Sequence, residues 1–338
     1  MQGRRGWTVA WVLMGFVVSA CGHGPEGPSR EDGAYRAPAR DAQFLTATQT
    51  YGPLYVKEGD LEAYSVTHPW SSYWFPKKDP ILFQPRNGQP APLQKYDKYL
   101  GSGQAAPYEE SHWDPAGADT WDGLCDAWSA ASVLEPEPSH GATVDGIKFS
   151  VLDLKALLIK SYEDAGSRKK IFGQRYSREG RDDYQDILPD QFHRVVQAEL
   201  VEHGRAIVID KDPGLEVWNT PVSGIVATLT RDRVDRHVMH VEANIQGASP
   251  SFDDVSYVGT NDFWLQYTYD LFGNDQADGT FKVEYGAWTG KSVDYHPDFV
   301  VAFPDPDGLR KNRRSFNPGI DTAKVDEILA KARSAPAE

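Results

Sequence analysis

The chain has 338 residues, 40% apolar and 12% aromatic, which is enough for one large domain or two modest ones and too apolar for a disordered chain. Its formal net charge of −14 repels phosphate backbones, so nucleic acid is not an expected partner. There are two cysteines, Cys21 and Cys125, and any other use of one leaves the second without a disulfide partner in the chain.

The first six residues carry Arg4 and Arg5, and the run from Trp7 to Val18 is apolar. Such a run, about twelve residues, suits the core of a secretion signal and falls short of the ~20 needed to span a bilayer. It closes on Val18-Ser19-Ala20-Cys21, small residues before a cysteine, which resembles the bacterial lipobox. Residues 1–20 are therefore expected to be a lipoprotein signal. Cys21 is expected to be the lipidated N-terminus of a secreted cell-envelope protein, held at the outer membrane or cell surface. An ordinary secretory signal is the plainer alternative. Losing Arg4 and Arg5 takes the charge from −14 to −16. No uncharged run elsewhere reaches the ~20 residues needed to span a bilayer, so no transmembrane helix is expected.

Residues 21–42 are rich in Gly, Pro, Ser and Glu and read as a flexible tether. Residues 43–118 are dense in Tyr, Trp and Pro, as in Pro69 to Pro76, and predict an irregular aromatic-rich lobe with short strands. The main domain is expected over 119–305, and a tail with a terminal helix near Asp321–Arg333 over 306–338. Within the main domain, Cys125 to Leu134 is mostly small and apolar and predicts a helix opening at the thiol. Ser150 to Lys160 predicts a second helix, with Val151, Leu154, Leu157 and Leu158 on one stripe and Asp153 near its positive end. Arg205 to Asp210 reads as a short buried strand. Phe263–Tyr269 and Phe281–Tyr285 alternate around the Asn274–Gly279 turn and predict an antiparallel hairpin. The expected class is α+β, with the cysteine helix packed on an antiparallel sheet.

If Cys21 carries lipid, Cys125 is a lone thiol in an oxidising compartment, where it must be buried or used. A thiol at a helix N-terminus is eased towards thiolate, and its own backbone N–H is placed to stabilise an oxyanion. The base for such a thiol is a histidine oriented by a carboxylate. His193 and Asp210 suit this if one strand, a turn at Glu202-His203-Gly204 and a return strand lie between them. The order Cys125, His193, Asp210 is papain-like, although 68 positions from thiol to histidine is far shorter than the ~130–150 of the cathepsins. His203, His237, His240 and His296 are rivals for the base. His237 and His240 could share a helix face as a metal pair, but they have no neighbouring cysteine and no clear glutamate partner. Trp121 and Trp128 flank the thiol and are candidate walls for a substrate.

Five blocks then carry a resemblance. They are Trp121-Asp-Gly-Leu-Cys-Asp-Ala-Trp128, Asp153-Leu154-Lys155-Ala156-Leu157, Pro189-Asp190-Gln191-Phe192-His193, Val217-Trp218-Asn219-Thr220-Pro221-Val222, and His296-Pro297-Asp298-Phe299-Val300. In this order they resemble the transglutaminase elicitor family of secreted thiol enzymes. The resemblance implies a papain-like core and acyl transfer from protein glutamine to lysine through a cysteine acyl-enzyme. It implies Cys125 as nucleophile, His193 and Asp210 as the relay, and Trp218 among the substrate-binding residues. The partners implied are proteins presenting Gln and Lys. No cofactor is expected except calcium, for which Asp270 and the Asn274–Gly279 turn offer oxygens. Asp126, Ala127 and Asp190 depart from the family pattern, and an acid at 126 raises the thiol pKa if it faces the sulfur. The alternatives are an envelope cysteine peptidase, amidase or deamidase with the same triad, and a non-catalytic surface lipoprotein.

Overall fold

The computed structural model describes residues 29–31, 33–164, 168–175, 186–211 and 213–336. The signal segment and Cys21 lie outside them. In chain order the elements are β1 (Ser29–Glu31), β2 (Ala34–Arg36), α1 (Thr46–Tyr51), β3 (Leu54–Val56), β4 (Gly59–Tyr64), α2 (Pro92–Leu100) and α3 (Ala105–Ser111). Then come α4 (Cys125–Leu134), β5 (Ala142–Val144), β6 (Ile147–Phe149), α5 (Val151–Lys160), β7 (Lys170–Gly173), α6 (Pro189–Val196) and β8 (Ile207–Asp210). The chain continues with β9 (Asn219–Arg231), β10 (Val238–Ser249), β11 (Asn261–Asp275), β12 (Phe281–Trp288), β13 (Phe299–Ala302), α7 (Pro306–Asn312) and α8 (Thr322–Ser334).

The expected local elements form for the expected reasons. Ser150 caps α5, its hydroxyl accepting from the Asp153 N–H while Asp153 reaches back to the Ser150 N–H. Small side chains let α4 sit deep, and every residue of it but Asp126 is buried. β11 and β12 pair antiparallel around the Asn274–Gly279 turn. The segment 43–118 holds more helix than its prolines suggested, because Pro92 occupies the first turn of α2, where its missing N–H costs nothing.

The frame is a nine-stranded antiparallel sheet in the order β3-β12-β11-β10-β9-β8-β13-β7, with β4 beside the C-terminal half of β9. β3 and β4 precede residue 118, so the sheet crosses the expected boundary between lobe and main domain. Alternation along the strands divides the core into two layers. Ala206, Val208, Phe299 and Val301 face α4 and α5. Ile207, Ile209, Val300 and Ala302 face the opposite layer, with Phe192, Val195 and Val196 of α6. The two helices that carry Cys125 and His193 therefore lie on opposite faces of one sheet. Among the described residues no helix is long and apolar enough to cross a membrane.

Candidate active site

Cys125 opens α4, with Leu124 at its N-cap and the Trp128 N–H returning to the Leu124 carbonyl at 2.8 Å. Gly123 before it has a packing reason. A Cβ there would lie 2.5 Å from a Trp74 ring carbon and 2.8 Å from the Trp74 carbonyl oxygen, which itself accepts the Leu124 N–H. The thiol is buried, 6% exposed. Its sulfur lies 3.6 Å from the Val217 carbonyl, to which it donates, and 3.6 Å from Asn219 Nδ2, which donates to it.

Asn219 and Asp210 are opposed residues of the antiparallel β8–β9 pair, so their side chains share a face. Asp210 shares the phase of Val208, and that face is the one α4 covers. Asp210 is fully buried, and its Oδ1 accepts the Trp218 N–H at 3.0 Å. Asn219 reaches the sulfur because of a bulge. Gln246 pairs with Gly224 but Gly247 pairs with Val222, leaving Ser223 as an extra residue that shifts the phase of the N-terminal half of β9.

Burial pushes the Cys125 thiol pKa up, the Asn219 hydrogen bond pulls it down, and the negative charges of Asp126 and Asp210 raise it further. The net direction is up, so the thiol is protonated near neutrality. Asp126 is exposed and caps the N–H of Ala127 at 2.8 Å, yet its charge is still felt at the sulfur. Trp74, Trp218 and Phe252 form a three-ring cluster beside the site, with centroids 5.4 to 6.3 Å apart.

The expected relay of Cys125, His193 and Asp210 is not assembled. His193 lies in α6, which runs through a π-helical stretch, Gln197–Glu202, where a strand and turn were expected. It is 1% exposed, with Nδ1 2.7 Å from the Tyr269 hydroxyl. Burial, with Arg194 adding to it, pushes its pKa down to about 4, and it stays neutral. The physical reason is the docking of α6: Pro189 starts a helix whose apolar stripe seats on the face away from α4.

No rival histidine replaces it among the described residues. His203 bonds the Ala198 carbonyl at 2.6 Å and His237 the Gly273 carbonyl at 3.0 Å. His296 lies between the Ser292 carbonyl and Asp186 and stacks on Trp288. His240 is gripped by Asp270 and Asp232, which raise its pKa. It lies on a strand, so the helix-face metal pair with His237 does not form. Among the described residues no group of three or more His, Cys, Asp or Glu could hold a metal. The oxygens weighed for calcium are engaged elsewhere: Asp270 by His240, Asn274 by Tyr35, Asp275 by Arg231 and Asp278 by Thr280.

One of the three candidate tryptophans is out of a substrate's reach. Trp128 is fully buried, its indole N–H on the Trp70 carbonyl at 3.0 Å, because position 128 falls on the core side of α4. Trp121 is half-buried beneath the Arg175 guanidinium, 5.7 Å from its ring centroid. Trp218 does adjoin the site, between the two residues that contact the sulfur. Asn219 escaped residue-by-residue reasoning. Its only signal was its place inside the Val217–Val222 block.

The molecule is thus a mixed helix and antiparallel-sheet protein with a helix-borne thiol set against a strand-end asparagine and aspartate. Residues 108–235, which contain all of these groups, match the transglutaminase elicitor family, the family that the five sequence blocks resemble. The chain shares its fold with the GP42 transglutaminase from Phytophthora sojae, at a TM-score of 0.66 and 21% identity over 87% of this chain and 98% of that one. No curated protein matches the sequence.

Proposed function

We propose that this protein is a protein-glutamine γ-glutamyltransferase that works through a Cys125 acyl-enzyme on a papain-like core. One observation carries the reading: the thiol at the first turn of α4 meets the Asn219 amide, with the Asp210 carboxylate paired beside it. The family match and the shared fold supply the reaction class.

Cys125 Sγ attacks the carboxamide carbon of a substrate glutamine. Its proton passes to Asp210, the acid–base group the site offers in place of a histidine, and Asn219 Nδ2 steadies the sulfur as it becomes anionic. The backbone N–H of Cys125, one of the unpaired donors of the helix start, faces the developing oxyanion. Asp210 returns the proton to the departing nitrogen, ammonia leaves, and a thioester remains. A lysine amine then attacks the thioester, gives its proton through Asp210 to the thiolate, and the isopeptide bond forms. Trp218, with Trp74 and Phe252, walls the sulfur from water, which favours amine over hydrolysis.

The test is incorporation of a fluorescent primary amine into a glutamine peptide, with ammonia followed in parallel. We expect both products from wild type and a loss of at least ~10³-fold in Cys125→Ser, whose fold is unchanged by circular dichroism. Ammonia without incorporated amine would show a deamidase instead. A Cys125→Ser rate within tenfold of wild type removes the thiol from the chemistry, and wild type that yields neither product points instead to a non-catalytic surface protein.

A further inference from the structure

A cavity of about 430 Å³ opens beside the start of α4, with Asp122 and Leu124 in its wall three residues and one residue from the thiol. Its sides are aromatic: Phe75, Phe83, Trp113 and Phe316 all contribute. Phe83 and Trp113 meet edge to face at 5.5 Å, and Phe316 is 67% exposed at the surface.

Its polar wall carries an imbalance of charge. Lys160 Nζ lies 2.9 Å from Glu109 and 2.6 Å from Glu163, with the lysine side chain 3% exposed and the carboxylates 21% and 7%. One ammonium between two carboxylates leaves one negative charge in a poorly solvated wall. Hydrogen bonds from Asn317 to Glu109 and from Ser315 to Glu163 hold both carboxylates in place. Asp114 and Asp122 add to the same sign; Lys77, also in the wall, pairs with Asp122 at 3.7 Å, but it is 59% exposed and solvent screens it, so the acids still outnumber the cations. The remaining acid of the wall, Asp79, is neutralised by Arg86.

Aromatic sides and a negative wall suit a long side chain with an apolar stem and a cationic head. We propose that this cavity is a specificity pocket for an arginine or lysine side chain of the protein substrate, close in sequence to the glutamine presented to Cys125. The inference rests on the acyl-transfer reading above. The bound cation is a recognition group and not the acceptor amine. An acceptor must give up its proton to attack, and a negative wall keeps an amine protonated. An extended peptide advances about 3.3 Å per residue, so a pocket that starts at Leu124 reads a position within a few residues of the glutamine.

Glutamine peptides on a neutral background, bearing arginine, norleucine or glutamate in turn at each of the four positions on either side, test this by amine incorporation. We expect one or two positions where arginine exceeds norleucine about tenfold in kcat/KM and glutamate falls below both. Asp122→Asn/Glu163→Gln should bring that ratio to about twofold or less. If that pair does not fold, Phe316→Ala at the exposed wall should lower the ratio instead. Binding of Nα-acetyl-arginine amide to Cys125→Ser protein, followed by saturation-transfer NMR against the norleucine amide, is read without catalysis. Peptides that react with no cationic preference at any position overturn the pocket and leave acyl transfer standing. Peptides that never react, with arginine amide binding that weakens in the Asp122→Asn variant, overturn acyl transfer and support the pocket. Absence of both overturns both.

Discussion

At the scale of the residue, the thiol's environment makes a directional claim. Burial and two nearby carboxylates raise the Cys125 pKa, and Asn219 opposes them. Alkylation by iodoacetamide should therefore be slow at neutral pH and rise through a midpoint above the ordinary ~8.5 of a cysteine. Asn219→Ala should move that midpoint up, because the thiolate loses a donor. Asp210→Asn should move it down, because a negative charge is removed. A pH–rate profile of alkylation measures all three, and a midpoint that ignores both variants contradicts the site. His193 makes a different claim. Its pKa falls from 6.5 to about 4 on folding, so between those values the unfolded chain holds a proton that the folded chain refuses. Stability from this group is complete above pH 6.5 and declines as the pH falls towards 4, by on the order of 3 kcal/mol in all. Urea melts at pH 7, 6 and 5 should show a shallower loss in His193→Gln, while the alkylation profile of Cys125 stays where it was. A profile that moves with His193 would reinstate it as the thiol's base.

At the scale of the element, α4 decides the site. Its first residue presents the sulfur and its fourth, Trp128, locks the helix to the chain at Trp70. Trp128→Ala opens a cavity where the side chain was fully buried, and should cost about 3–5 kcal/mol in urea denaturation. A cost under 1 kcal/mol would return Trp128 to the list of substrate walls. β9 contributes through its bulge. Without the extra Ser223, strict alternation would turn Asn219 to the α6 face and leave the sulfur without its donor. The α6 segment shows the opposite case. Its residues read equally well as the first strand of a pair, and Pro189 with the Phe192, Val195 and Val196 stripe made it a helix.

At the scale of the whole molecule, we propose a tethered enzyme of the cell envelope whose protein substrates bring glutamine and lysine to it. Expressed with its signal, the protein should take up labelled palmitate and pellet with membranes, and Cys21→Ala should leave it soluble or uncleaved. Unlabelled, soluble wild-type protein would rule the anchor out. The sequence by itself determined the local pieces. Small residues after Gly123 specify a helix starting at Cys125, Ser150 and Asp153 cap the next one, and period-two alternation around Asn274–Gly279 specifies the hairpin. These are settled by neighbours within a turn or two, and five short blocks in order were enough to point to the family. Tertiary structure alone decided which groups meet the thiol. That depends on which face of the sheet each helix covers and on a one-residue bulge between strands, and both follow from packing between residues far apart in the chain. His193 was lost to the far face and Asn219 gained at the near one for the same reason: in a sheet, a side chain's neighbours are chosen by strand phase and layer, which spacing along the chain does not encode.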